Sequence, residues 1–143
     1  MIEDAPPLEQ VAPRFSLRAD TLALLGFALV VVLSLFPWSR FASSGFFDAW
    51  KVHWSLLAVG AGAGGLLFSL AVRRWPLDPR VEASVYAVLG LLVATGAILH
   101  HRHPAPLTEP RFTAWLAVVG AALALLGAAG KLRATRRSHR WSD

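Results

Sequence analysis

The chain has 143 residues and a mass of 15.5 kDa, room for one compact domain rather than two. It is 55% hydrophobic and only 16% charged, with a mean hydropathy of +0.51. An average soluble domain is about 45–50% apolar and about 25% charged, so this composition is that of an integral membrane protein. The absence of cysteine from the sequence excludes disulfides, zinc–thiolate sites, iron–sulfur clusters and thiol redox chemistry, and the net charge of +5 with a pI near 11.1 is read as membrane topology before nucleic-acid binding.

A cytoplasmic tail is expected over residues 1–19, and Pro6, Pro7 and Pro13 predict that its first fifteen residues are extended. The first uncharged stretch predicts a span over about 20–38, running through Pro37 to Trp38. Arg14 and Arg18 before it and Ala42, Ser43 and Ser44 after it resemble a cleaved signal peptide. The acidic residues Glu3, Asp4 and Glu9 and the unsuitable Pro37-Trp38-Ser39-Arg40 junction argue for a retained span instead. A second span is expected over 52–72, ending against Arg73 and Arg74, and a tight turn through Arg80 makes it a hairpin with a third span over 82–99. The connection after His100-His101-Arg102-His103 is stiffened by Pro104, Pro106 and Pro110. A fourth span over 112–131 continues into a basic cytoplasmic tail, 133–143. Helices of about 17–25 apolar residues cross a ~30 Å hydrocarbon layer, and only helices satisfy the backbone at this hydrophobicity without barrel-type alternation. The tails and the second connection hold ten Lys and Arg residues against four in the first and third connections. The positive-inside bias therefore predicts both termini in the cytoplasm. The expected fold is all-α: an integral membrane bundle of four transmembrane helices over 20–132. The bias towards Arg over Lys (12 to 2) among abundant Ala, Gly and Leu points to a GC-rich bacterial genome, hence to a bacterial inner membrane.

Within the uncharged stretches 21–38, 52–72, 83–99 and 112–130 there is no Asp, Glu, Lys, Arg or His except His53, which argues against a pump or an ion-coupled carrier. Small residues four apart are dense: Gly60 with Gly64, Ala61 with Gly65, Gly90 with Ala94, and Gly120 with Ala124. Such pairs let helices approach closely in lipid, and internal packing is their expected use, with docking of another subunit as the alternative. Trp38, Trp50, Trp54, Trp75 and Trp115 fall near span ends, where an aromatic belt is expected. His53, His100 and His103 are the candidate first shell of an outer divalent-metal or haem site, although His103 precedes Pro104 and leaves helical geometry. Lys131, Arg133, Arg136, Arg137 and Arg140 are expected to fix topology and meet anionic headgroups.

Leu35-Phe36-Pro37-Trp38, followed by Ser44-Gly45-Phe46-Phe47-Asp48-Ala49-Trp50 and an Ala/Gly-rich span, resembles small four-helix membrane proteins of actinobacteria. The likeness covers residues 20–72 and implies topology rather than an activity. The expected function is a non-enzymatic accessory or assembly subunit that packs against other integral membrane subunits, without cofactor or nucleic acid. A redox or metal protein (haem, copper or zinc) using the outer histidines is the second reading, and a small lipid-binding membrane protein the third.

Overall fold

The computed structural model describes residues 12–40, 48–51 and 53–139, with side chains described from residue 18 to 137 apart from those at 48 and 53. Among the described residues four helices run up and down: α1 (Ala12–Leu33), α2 (His53–Arg74), α3 (Pro79–Arg102) and α4 (Phe112–His139). Three of them are long and apolar enough to cross a membrane, over Trp54–Arg74, Pro79–Arg102 and Phe112–Arg137. The start of α1, the α2–α3 turn and the end of α4 share one end of the bundle, here the basic end. The opposite, histidine end carries the close of α3 and the opening of α4.

The boundaries follow local chemistry. Asp78 caps α3, its carboxylate accepting the Arg80 amide at 2.8 Å, with Pro79 as the first helical residue, where a missing N–H costs nothing. Glu82 reaches back to accept the Leu77 amide at 3.0 Å and closes the tight α2–α3 turn. The same tolerance for proline lets α1 begin at Ala12 with Pro13 in its first turn. Residues 12–15 are therefore helical, not extended as expected, and α1 takes in the tail from residue 12 to 19. α1 also stops sooner than expected, at Leu33 rather than residue 38. The residue before Pro37 is biased away from helical geometry, and the last turn tightens through Leu35 N–H to Val32 O and Phe36 N–H to Leu33 O, both 3.1 Å. α4 runs on past residue 131 to His139.

The bundle is held by very close approaches. Between α1 and α4, a β-carbon on Gly26 would stand 2.4 Å from the Gly120 carbonyl oxygen, and one on Gly120 would stand 2.7 Å from that of Gly26. Backbone cannot step aside, so both positions require glycine. α4 presents an alanine stripe to the interior (Ala114, Ala117, Ala121, Ala124, Ala128) at the three- and four-residue spacing of one helix face. Phe27 and Tyr86 fill the space the small residues leave, their rings 6.1 Å apart, with Phe68 at 5.6 Å on the other side of Tyr86. The outer surface is apolar: Leu25, Leu67, Leu91 and Leu126 are each more than half exposed. That surface suits lipid, where helices need no polar exterior because their backbone bonds close internally.

At the histidine end, two connections meet in a short antiparallel ladder of β1 (Ser39–Arg40) and β2 (Glu109–Pro110), with Ser39 opposite Pro110 and Arg40 opposite Glu109. The Arg111 amide donates to Trp38 O at 2.7 Å, and Thr113 Oγ1 donates to Pro37 O at 2.7 Å. The ladder folds the chain after α1 down over the end of the bundle.

Candidate functional site

The basic end encloses an ionic cluster. Lys131 on α4 places its ammonium 2.7 Å from the Asp20 carboxylate of α1 and in direct contact with the Glu82 carboxylate of α3. Lys131 and Glu82 are almost wholly buried, at 5% and 4% side-chain exposure, while Asp20 keeps 22% and faces the aqueous edge. The ammonium also lies 5.6 Å from the centre of the Tyr86 ring, a cation–π distance. The Tyr86 hydroxyl bonds Ser69 on α2, whose own hydroxyl donates to Gly65 O at 2.7 Å. Each of the four helices thus supplies a polar group to one buried chain. Charges in a low-dielectric interior persist only when paired and hydrogen-bonded, and Lys131 has two carboxylates to satisfy it.

These residues correct the expectation of charge-free spans. Glu82, His100 and Lys131 all lie within the membrane-crossing lengths of α3 and α4 and are buried. They also correct the role expected for Lys131, whose ammonium turns inward and is unavailable to headgroups. Arg133, Arg136 and Arg137 are exposed, as that role requires, and Arg140 lies outside the described residues. A signal for the cluster is present in the spacing. Lys131 is three residues beyond Ala128 on the buried alanine stripe, Glu82 four before Tyr86, and Asp20 three before Ala23.

At the other end, His100 is fully buried, sharing a 3.3 Å hydrogen bond with Ser39 Oγ and lying edge-on to Trp38 with ring centres 5.7 Å apart. Trp38 was expected in the interfacial belt; it is instead fully buried, its indole N–H donating to Leu33 O at 2.9 Å. Trp50, Trp54, Trp75 and Trp115 are exposed, as a belt requires. His101 accepts a 3.3 Å hydrogen bond from Trp115 Nε1. His103 is the exposed C-cap of α3, and His53 opens α2 with its side chain outside the described residues. Of the expected set of His53, His100 and His103, the structure does not bring His100 and His103 together: His100 packs inward beneath Trp38 while His103 stays in solvent. Among the described residues no group of three His, Asp or Glu is placed to hold a metal.

The small-residue pairs divide into two kinds. Gly65 lies against the Phe27 ring, Gly90 against Leu125, and Gly120 against Gly26. Ala61 and Ala124 are buried, and Ala94 packs on the core. Gly60 and Gly64 differ, because a β-carbon on either would meet nothing within 4 Å. Internal packing, the expected use of that pair, is not its use in the bundle. The two glycines leave a stretch of α2 bare of side chains on its outward side, between the exposed Leu56 and Leu67, here called the α2 groove. No protein-family model, curated protein or solved structure matches this chain.

Proposed function

We propose that this chain is a non-enzymatic subunit of a larger complex in the bacterial inner membrane. In this reading all four helices cross, both termini are cytoplasmic, and another membrane helix docks in the outward groove of α2. The observation that carries it is the open pair Gly60 and Gly64, one turn apart on an apolar helix and unused by the bundle's own packing. In lipid there is no hydrophobic gain in bringing helices together, so association rests on close van der Waals packing, which small residues four apart permit. The internal glycines supply a comparison within the same chain, since Gly26, Gly96, Gly120 and Gly127 each meet the backbone of a neighbouring helix.

The test is the mass and composition of what accompanies the tagged full-length chain on gentle extraction from its native membrane. A stoichiometric assembly with another membrane protein is expected. It should be lost in the Gly60→Leu/Gly64→Leu variant, which should accumulate and melt as the wild type does, because leucine there meets open space. A wild-type chain recovered alone, or a double variant that keeps its assembly, overturns the reading.

A further inference from the structure

The buried cluster at the basic end has a counterpart turned the other way. Asp20, Glu82 and Lys131 lie at one level of α1, α3 and α4 because they are in contact. A helix turns about 100° per residue, so a position two residues further towards the end of the bundle faces about 200° away, outward. Each of those positions is an arginine: Arg18 beyond Asp20, Arg80 beyond Glu82, Arg133 beyond Lys131. All three are exposed, as are Arg73 and Arg74 at the end of α2 and Arg137 one turn past Arg133. Every helix of the bundle therefore contributes to one outward cationic collar. The inward residues of this level, one ammonium against two carboxylates, leave a single negative charge, which offsets only one of the collar's six arginines. The nearby exposed carboxylate, Asp78, is engaged in capping α3. Between Arg74 and Arg80, Trp75 and Leu77 stand exposed at 69% and 48%, as anchors at headgroup depth do.

We propose that this collar is a binding surface for anionic phospholipids, their phosphates held by the arginines of α2, α3 and α4 at the edge of the apolar surface. Guanidinium groups pair with phosphate through two parallel hydrogen bonds, and the adjoining leucine-rich helix faces take the acyl chains. The buried ion pairs tie α3 to α4 and so keep Arg80 and Arg133 at a common depth. The surface is independent of the α2 groove and stands whether or not a protein partner docks there.

The test uses the full-length chain in a neutral detergent, with phosphatidylglycerol and phosphatidylcholine of matched acyl chains as probes and retained lipids counted by native mass spectrometry. Phosphatidylglycerol should be retained in preference. Arg80→Gln/Arg133→Gln should reduce its retention about fivefold for each arginine removed. Arg80→Lys/Arg133→Lys should keep most of the preference. Arg102→Gln/Arg111→Gln, at the histidine end, should leave it unchanged. Helix content and melting temperature equal to wild type establish that each variant is folded; the substituted side chains are exposed and leave the ionic cluster intact. Equal retention of the two lipids by the wild type, or equal losses from substitutions at the two ends, overturns the proposal and leaves the collar to an acidic protein.

Discussion

Lys131 carries its charge into a packed interior because two carboxylates, from different helices, meet it there. Removing the ammonium would leave Asp20 and Glu82 facing each other without a counter-charge. Lys131→Met is therefore expected to destabilise the bundle by about 3–5 kcal/mol, read as a lowered unfolding midpoint in detergent. Adding Asp20→Asn and Glu82→Gln to that variant should recover most of the loss, since a site with no charge has no desolvation penalty left to offset. If the triple variant is as unstable as the single one, side-chain packing rather than charge is what Lys131 provides. The exposed Arg136, about one and a half turns beyond Lys131, should tolerate Gln with a change within about 0.5 kcal/mol. Hydropathy alone hides this cluster, because a span is bounded at its first charged residue, which assigns that residue to water. Helical phase carries the missing information: Lys131 and Glu82 continue the buried stripes of α4 and α3, whereas Arg133 and Arg80 fall on the opposite faces. Neither the phase nor the composition says which carboxylate meets which ammonium. That follows only from the order in which the helices pack.

Four helices, their order and the tight α2–α3 turn are legible from hydropathy and turn chemistry, because each depends on residues near one another in sequence. What each helix face touches is not. Gly60/Gly64 and Gly120/Ala124 have the same four-residue spacing, yet the first pair opens outward and the second lies on the α1–α4 contact. The difference is set by neighbours distant along the chain, here Gly26 and Val30 on α1. The same limit hid the β1–β2 ladder, whose two residues per strand carry no period and whose pairing closes across nearly seventy residues. Substitutions separate the two faces directly. Gly120→Leu must push against the Gly26 carbonyl and should cost upwards of about 3 kcal/mol, at or beyond the usual range for overpacking. Gly64→Leu meets open space and should leave the thermal midpoint of the purified bundle unchanged. Equal losses at the two positions would mean that the α2 groove is occupied within the bundle itself.

On the scale of the whole molecule the two ends differ in kind. One is sealed by Trp38, Ser39 and His100 under a short ladder; the other pairs its buried charges and turns arginines outward. Basic residues are retained on the cytoplasmic side during insertion, so the arginine-bearing end should face the cytoplasm. The cysteine-free sequence makes this readable with single introduced thiols. Leu107, 88% exposed at a turn of the histidine end, and Trp75, 69% exposed in the α2–α3 turn, are suitable sites outside the packed interior. With a membrane-impermeant maleimide on intact cells, Leu107→Cys should be labelled, and Trp75→Cys only after the membrane is opened. The two sites are separated by α3 alone, so the pair tests that helix independently of orientation. Labelling of both from the same side would mean that α3 does not cross, whatever its length and hydropathy. Labelling of Trp75→Cys alone would keep the crossing and invert the bundle, so that the arginine distribution would have failed as the determinant of its orientation.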